Sequence, residues 1–211
     1  MTEYYLPTGY GTAEHVEKKS RFIGQVAHVE TEEEAVAFLD GVRTANPMAR
    51  HNVYAYVLRA DNRVRYSDDG EPQGTAGQPM LEVLRGQGVT DAVIVVTRYF
   101  GGILLGTGGL ARAYTKGARD ALSAAGISVE RLWDRLLVAC SYSLYDRIRQ
   151  ETERCGGVIE DTEYGADVTL TVLTPETETD NYVNQLTELS AGTVQGEKLD
   201  QVFRGVPVNS E

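Results

Sequence analysis

The stretch VIVVTRYFGGILLGTGGLARAY, Val93–Tyr114, decides how the first half of the chain folds. Its opening, continuous from Asp91 to Thr97, is a near-unbroken β-branched run and predicts a central strand buried on both faces. Its close, from Leu110, begins a helical repeat in which Leu110, Tyr114, Ala118, Ala121, Leu122 and Ala125 share one face, with Gly126 placed to end it. Ala111, Ala113 and Gly117 keep that helix slim. Between strand and helix, Gly101, Gly102, Gly106, Gly108 and Gly109 crowd into nine residues. So glycine-dense a turn permits close backbone approach, either to an anionic ligand or to a neighbouring helix.

Upstream, Tyr10–Val29 reads as a hairpin turning at Lys18-Lys19-Ser20, with His15 and His28 as ordinary strand histidines. Thr31 and Glu34 form a capping box for a helix whose stripe is Ala35, Phe38, Leu39 and Val42, stopped by Pro47. Its acidic first turn is a solvated cap. His51–Arg59 and Arg63–Ser67 form a second hairpin. Asp68–Gln78 (DDGEPQGTAGQ) has no periodicity and is dense in turn residues, and Pro79 suits the first position of a short helix to Gly86.

From Leu132 the texture changes. A strand (Leu136–Tyr142), a helix capped by Ser143, a hairpin around Gly165-Ala166, a helix opened by Thr174-Pro175 and a last strand (Thr193–Phe203) follow in turn. This β-α-β-β-α-β order is the ferredoxin-like plan. The expected architecture is α+β in two domains, residues 1–131 and 132–211.

Composition narrows the function classes. With 42% hydrophobic and 24% charged residues, the chain has the balance of a soluble globular protein. There is no run of about 18 apolar residues and no basic-then-apolar leader, so no membrane partner is expected. Cys140 and Cys155 are too few for a disulfide framework and read as core thiols, which fits a reducing cytoplasm. Net charge is −11, against generic nucleic-acid binding. It is uneven, however: residues 1–131 carry 14 Lys+Arg against 16 Asp+Glu, and residues 132–211 carry 6 against 15. Any contact with phosphate falls to the first part.

The glycine turn has the GxxxxG spacing of a phosphate loop, but Thr107 stands where the lysine belongs. Gly106–Ala111 matches GxGxxA without the βαβ context of a dinucleotide fold. What survives is an anion site made by free N–H groups at a helix start. Arg112, Lys116 and Arg119 share one face of that helix, and Arg112 sits in the first turn, where the dipole disfavours a cation. A bound phosphate, or a salt bridge to the acidic loop Asp68–Glu71, would relieve that conflict. His51 with Asp68, Asp69 and Glu71 is a second candidate, for acid–base chemistry or a divalent metal. The expectation is no metal and no cofactor. No nucleophile elbow or Ser-His-Asp order occurs.

At DDGEPQGTAGQPML (Asp68–Leu81) and VVTRYFGGILLGTGGLARAY (Val95–Tyr114) the sequence resembles the IMPACT/YigZ family, with support from KKSRFIG (Lys18–Gly24) and ARHNVYAY around His51. The resemblance implies a first domain that is an α/β sandwich like that of a small-subunit ribosomal protein and elongation factor G domain four. It implies a second, ferredoxin-like domain similar to elongation factor G domain five. It places the shared polar residues on Lys19, Ser20, Arg21, His51, Asp69, Glu71, Thr75, Arg98, Tyr99, Arg112 and Tyr114. Eukaryotic members regulate translation through protein partners that bind an additional N-terminal domain; this chain opens on its first strand, so that interaction is not expected here.

The expected function is therefore a non-enzymatic cytoplasmic factor associated with translation, contacting RNA, a ribosomal surface or a protein partner through its first domain. Lys19, Ser20, Arg21, Arg98, Arg112, Lys116 and Arg119 would supply charge and polarity, Gly101, Gly102, Gly108 and Gly109 close approach, and Tyr99, Phe100 and Tyr114 aromatic surface. The alternative is an enzyme or small-ligand binder for a phosphate- or carboxylate-bearing substrate, with His51, Asp69 and Glu71 as acid–base candidates. Some bacterial relatives carry a peptidase designation.

Overall fold

Residues 3–207 are described by the computed structural model. The chain forms two compact units, Tyr4–Val129 and Glu130–Gly205, the latter joined by Glu3. In the first unit the elements run β1 (Glu3–Pro7), β2 (Gly11–Glu17), β3 (Ser20–His28), α1 (Glu32–Ala45), β4 (His51–Leu58), β5 (Arg63–Ser67), α2 (Gly77–Gly86), β6 (Ala92–Tyr99) and α3 (Thr107–Ala125). Strands β2-β3-β6-β4-β5 make one sheet, antiparallel at every pairing, with β6 in the middle.

The β-branched run of β6 is explained by that position. Ile94 and Val96 pack with Phe22, Val26, Val53 and Ala55 against Met80 and Leu84 of α2 and Leu110, Tyr114, Ala118 and Ala121 of α3. Val93 and Val95 face the other way, with Tyr56 and Leu58, onto Ala35, Leu39 and Val42 of α1. The unit is thus a three-layer sandwich, and both faces of β6 are dry. Helix α3 lies so close to β3 that a Cβ on Gly24 would stand 2.2 Å from the Gly117 carbonyl oxygen. Gly106 and Gly126 end α3 with φ of 72° and 71°, which glycine adopts without strain.

The capping box at Thr31 and Glu34 is present, Glu34 N–H donating to Thr31 Oγ1 at 3.2 Å. The hairpin turn is tighter than the sequence indicates: Lys18 and Lys19 alone form it, at φ of 44° and 66°, and Ser20 is already the buried first residue of β3. Helix α2 starts two residues before Pro79, because Asp68 reaches across the loop to accept the N–H groups of Ala76 and Gly77. Strand β1 goes beyond the sequence expectation; its end is tied down where Thr8 N–H donates to the Gly126 carbonyl and Thr8 Oγ1 meets Ser128 Oγ at 2.8 Å.

The second unit takes β7 (Ile127–Cys140), α4 (Tyr142–Arg154), β8 (Val158–Tyr164), β9 (Val168–Pro175), a 3₁₀ turn (Glu176–Glu178), α5 (Thr179–Leu189) and β10 (Gly196–Pro207). Sheet order β10-β7-β9-β8 is that of a ferredoxin-like unit. Its core joins Leu136, Val138, Ile148, Leu170, Val172 and Leu186. Three expectations shift. β7 begins nine residues before Leu136, α4 is entered at Ser141 rather than Ser143, and Thr174-Pro175 closes β9, so the second helix opens at Thr179. Cys140 and Cys155 lie in this core; burial, then Glu151, pushes the Cys155 thiol to about 11, far from a reactive thiolate.

Candidate functional site

The acidic loop folds inward. Asp68 accepts N–H from Gly74, Ala76 and Gly77 at 2.8, 3.0 and 2.8 Å, acting as the cap that α2 otherwise lacks. Asp68→Ala is expected to cost about 2 kcal/mol, read as a lowered urea midpoint, since three donors lose one acceptor side chain. Next to it, Asp69 and Gly70 take φ of 44° and 85° and turn the chain so that Glu71 enters the interior. Asp69 Oδ2 accepts Asn52 N–H at 2.6 Å, and its carbonyl oxygen lies 2.7 Å from His51 Nδ1. A carbonyl only accepts, so Nδ1 carries the proton.

Strand register completes the cluster. Arg98 of β6 is paired with His51 on one side and with Phe22 on the other, so all three side chains share the α2/α3 face. There Arg98 Nη1 donates to Glu71 Oε1 at 2.6 Å, and both side chains are only 5% exposed. Tyr114, fully buried, donates its hydroxyl to the same oxygen at 2.8 Å, and His51 Nε2 stands 3.9 Å from it. Burial, then the Glu71 carboxylate, drives the Tyr114 hydroxyl well above the usual phenol range, so it stays a donor. Arg98 Nη2 donates to Ser20 Oγ at 3.3 Å, and its guanidinium carbon lies 5.4 Å from the ring centroids of Phe22 and of Phe100.

This corrects the reading of two residues. Arg98 and Tyr114 are not surface groups for a ligand; they sit beneath the surface as partners of Glu71. The salt bridge expected between the acidic loop and Arg112 is made by Arg98 instead. The structure does bring His51, Asp69 and Glu71 together, with Glu71 Oε1 already accepting from both Arg98 and Tyr114. Among the described residues no three His, Cys, Asp or Glu side chains stand where they could hold a metal ion.

Above this cluster the glycine turn meets the hairpin tip. A Cβ on Gly101 would fall 2.0 Å from the carbonyl carbon and oxygen of Lys19, and Gly101 N–H donates to Ser20 Oγ at 3.2 Å. The close approach permitted by Gly101 is therefore to the hairpin, not to a ligand. Gly102 opens on space. Arg21 is held by a bidentate pair with Glu14, at 2.5 and 2.8 Å, and lies over the Tyr99 ring. Tyr99 is half-buried and donates its hydroxyl to Asn46 Oδ1, whereas Phe100, Ile103 and Leu104 remain exposed.

Arg112, Lys116 and Arg119 lie along α3, with Lys116 paired to Asp120 at 2.5 Å. Arg112 has no ion pair among the described residues, and its Nη1 passes 3.5 Å from where a Cβ on Gly108 would stand. Arg112 and Lys116 line two concavities. One, of about 200 Å³, is also lined by His15, Glu17 and Lys18; the other, an open groove of about 440 Å³, continues to Thr115, Arg119 and the Asp120 carboxylate. His15 is stacked on Phe22 at 5.1 Å, and neither buried ring nitrogen has a hydrogen-bond partner among the described residues. Burial, then the Lys116 cation, lowers its pKa.

Glu17 and Lys18 join the site without having been singled out by the sequence as site residues, and His15, read there as an ordinary strand histidine, lines it with them. A signal for them exists, because a two-residue turn at Lys18-Lys19 pairs His15 with Phe22 and so aims it at the helix face. Among the described residues no helix is long and apolar enough to cross a membrane.

Known proteins carry the same plan. The Impact N-terminal domain family matches residues 18–122, and a domain of unknown function (DUF1949) matches residues 138–193. The chain is 38% identical over 198 residues to the IMPACT family member YigZ of Escherichia coli (strain K12), covering 92% of this chain and 97% of that protein. A solved structure described as that of an hypothetical protein superimposes with a TM-score of 0.60 at 38% identity, over 95% of this chain and 98% of that one. The Protein IMPACT homolog of Dictyostelium discoideum is 39% identical over 106 residues, 48% of this chain and 30% of that protein. With its N-terminal family matched and its full-length likeness to YigZ, this chain belongs to the IMPACT/YigZ family.

Proposed function

We propose that the protein is a cytoplasmic factor associated with the regulation of translation, whose N-terminal unit binds RNA through its phosphates and performs no catalysis of its own. The link to eukaryotic IMPACT homologues supports the translation-related part. One observation carries the RNA part: in a chain of net charge −11, Lys18 converges with Arg112 and Lys116 around adjoining concavities, although some ninety residues separate them. Arg119 extends the basic line along α3, and exposed Phe100 offers a ring on which a base can stack. Lys19 adds charge at the same hairpin tip.

A small phosphorylated or carboxylated ligand is the second reading, favoured by the size of the 200 Å³ cleft. The experiment that tests the proposal is co-sedimentation with ribosomes, and filter binding to single-stranded RNA, for the wild type and Arg112→Glu/Lys116→Glu. Charge reversal on α3 is expected to weaken both by roughly a hundredfold, the effect of two lost and two repelling charges. Unchanged binding contradicts the proposal.

A further inference from the structure

The smaller of the two concavities is more specific than a basic surface. It gathers the cations of Lys18, Arg112 and Lys116 with the start of α3, where Gly109 lines the wall and Gly106 offers no side chain to cap the first N–H groups. The His15 ring lines it too as part of the wall, its two nitrogens buried behind the lining and out of a ligand's reach. Glu17 brings an acceptor, matched to a ribose hydroxyl rather than to phosphate.

Shape adds a direction. At about 200 Å³ the cleft is the smaller and more enclosed, whereas the 440 Å³ groove beside it is open and shares Arg112 and Lys116. An internal phosphodiester needs room for chain on both sides. A terminal phosphate needs it on one side only, and as a monoester it carries nearly twice the charge. We infer that the cleft takes the phosphate at the end of an RNA strand, with the strand leaving along the groove toward Arg119. This rests on the RNA reading above and narrows it to strand ends.

The test is fluorescence anisotropy at fixed salt with one RNA decamer in three forms: 5′-phosphate, 3′-phosphate, and hydroxyl at both ends. One phosphorylated form is expected to bind about tenfold tighter than the hydroxyl form, the worth of one or two charge-assisted hydrogen bonds. That preference should fall to within about twofold in Arg112→Ala/Lys116→Ala, which removes two of the three cations. Equal affinity for all three forms overturns the strand-end inference and leaves the RNA reading standing. Binding to none of them overturns both. A nucleoside monophosphate that competes as tightly as the phosphorylated decamer also overturns it, since the ligand is then a small molecule.

Discussion

Replacing Glu71 with alanine is expected to destabilise the N-terminal unit by about 3–5 kcal/mol, because it leaves the Arg98 guanidinium charged, buried and uncompensated. Few surface routes exist for relief: the Arg98 side chain is 5% exposed, Phe22 and Phe100 lie against it, and its Nε has no partner among the described residues. Tyr114 would lose its acceptor in the same step. Tyr114→Phe isolates that smaller loss, about 1.5–3 kcal/mol for a hydrogen bond to a charged group. Glu71→Leu combined with Arg98→Met should recover much of the stability, since removing both charges also removes their desolvation cost. Urea unfolding followed by circular dichroism checks the series. A Glu71→Ala loss below about 1 kcal/mol would mean that water reaches the pair.

Gly24→Ala carries the second large effect, about 3 kcal/mol or more. The new Cβ would stand 2.2 Å from the Gly117 carbonyl oxygen and 2.9 Å from its carbon. Those atoms belong to the backbone of α3, which cannot yield as a side-chain tip can, so helix and sheet must separate. Gly41→Ala is the control: it lies in α1, and a Cβ there meets nothing within 4 Å. That substitution should stabilise by up to about 1 kcal/mol, because alanine is the better helix former. Equal thermal midpoints for the two variants would refute the packing described for α3.

Much of this fold is legible in the sequence because its signals are local. The β-branched run marks β6 as central, glycines mark both ends of α3, and the capping box places α1. Arg63–Ser67 is recognisable as the partner of β4 from alternation alone. Strand β1 is not, since Tyr-Tyr-Leu-Pro has no alternation, and its pairing is with residues more than a hundred positions away. The first half of β7 is hidden because Glu130, Arg131, Asp134 and Arg135 break its apolar pattern.

The site is legible by membership and not by pairing. Glu71, Arg98, His51 and Tyr114 all stand out in the sequence, but which carboxylate meets which arginine depends on sheet register, and register is not a local property. Arg98 and Arg112 look alike in sequence, flanking the same glycine turn. One faces His51 and Phe22 inside the sheet, and the other emerges on the helix. That single difference separates an arginine that holds the fold from one on the candidate binding surface.

The most direct test of the central claim is the salt dependence of RNA binding. For the wild type, the logarithm of the association constant for single-stranded RNA should fall linearly with the logarithm of salt concentration. In Arg112→Ala/Lys116→Ala the slope should shrink by about 1.4, or about 0.7 for each phosphate no longer neutralised. A slope and affinity indistinguishable from the wild type would contradict the assignment of the α3 surface to phosphate.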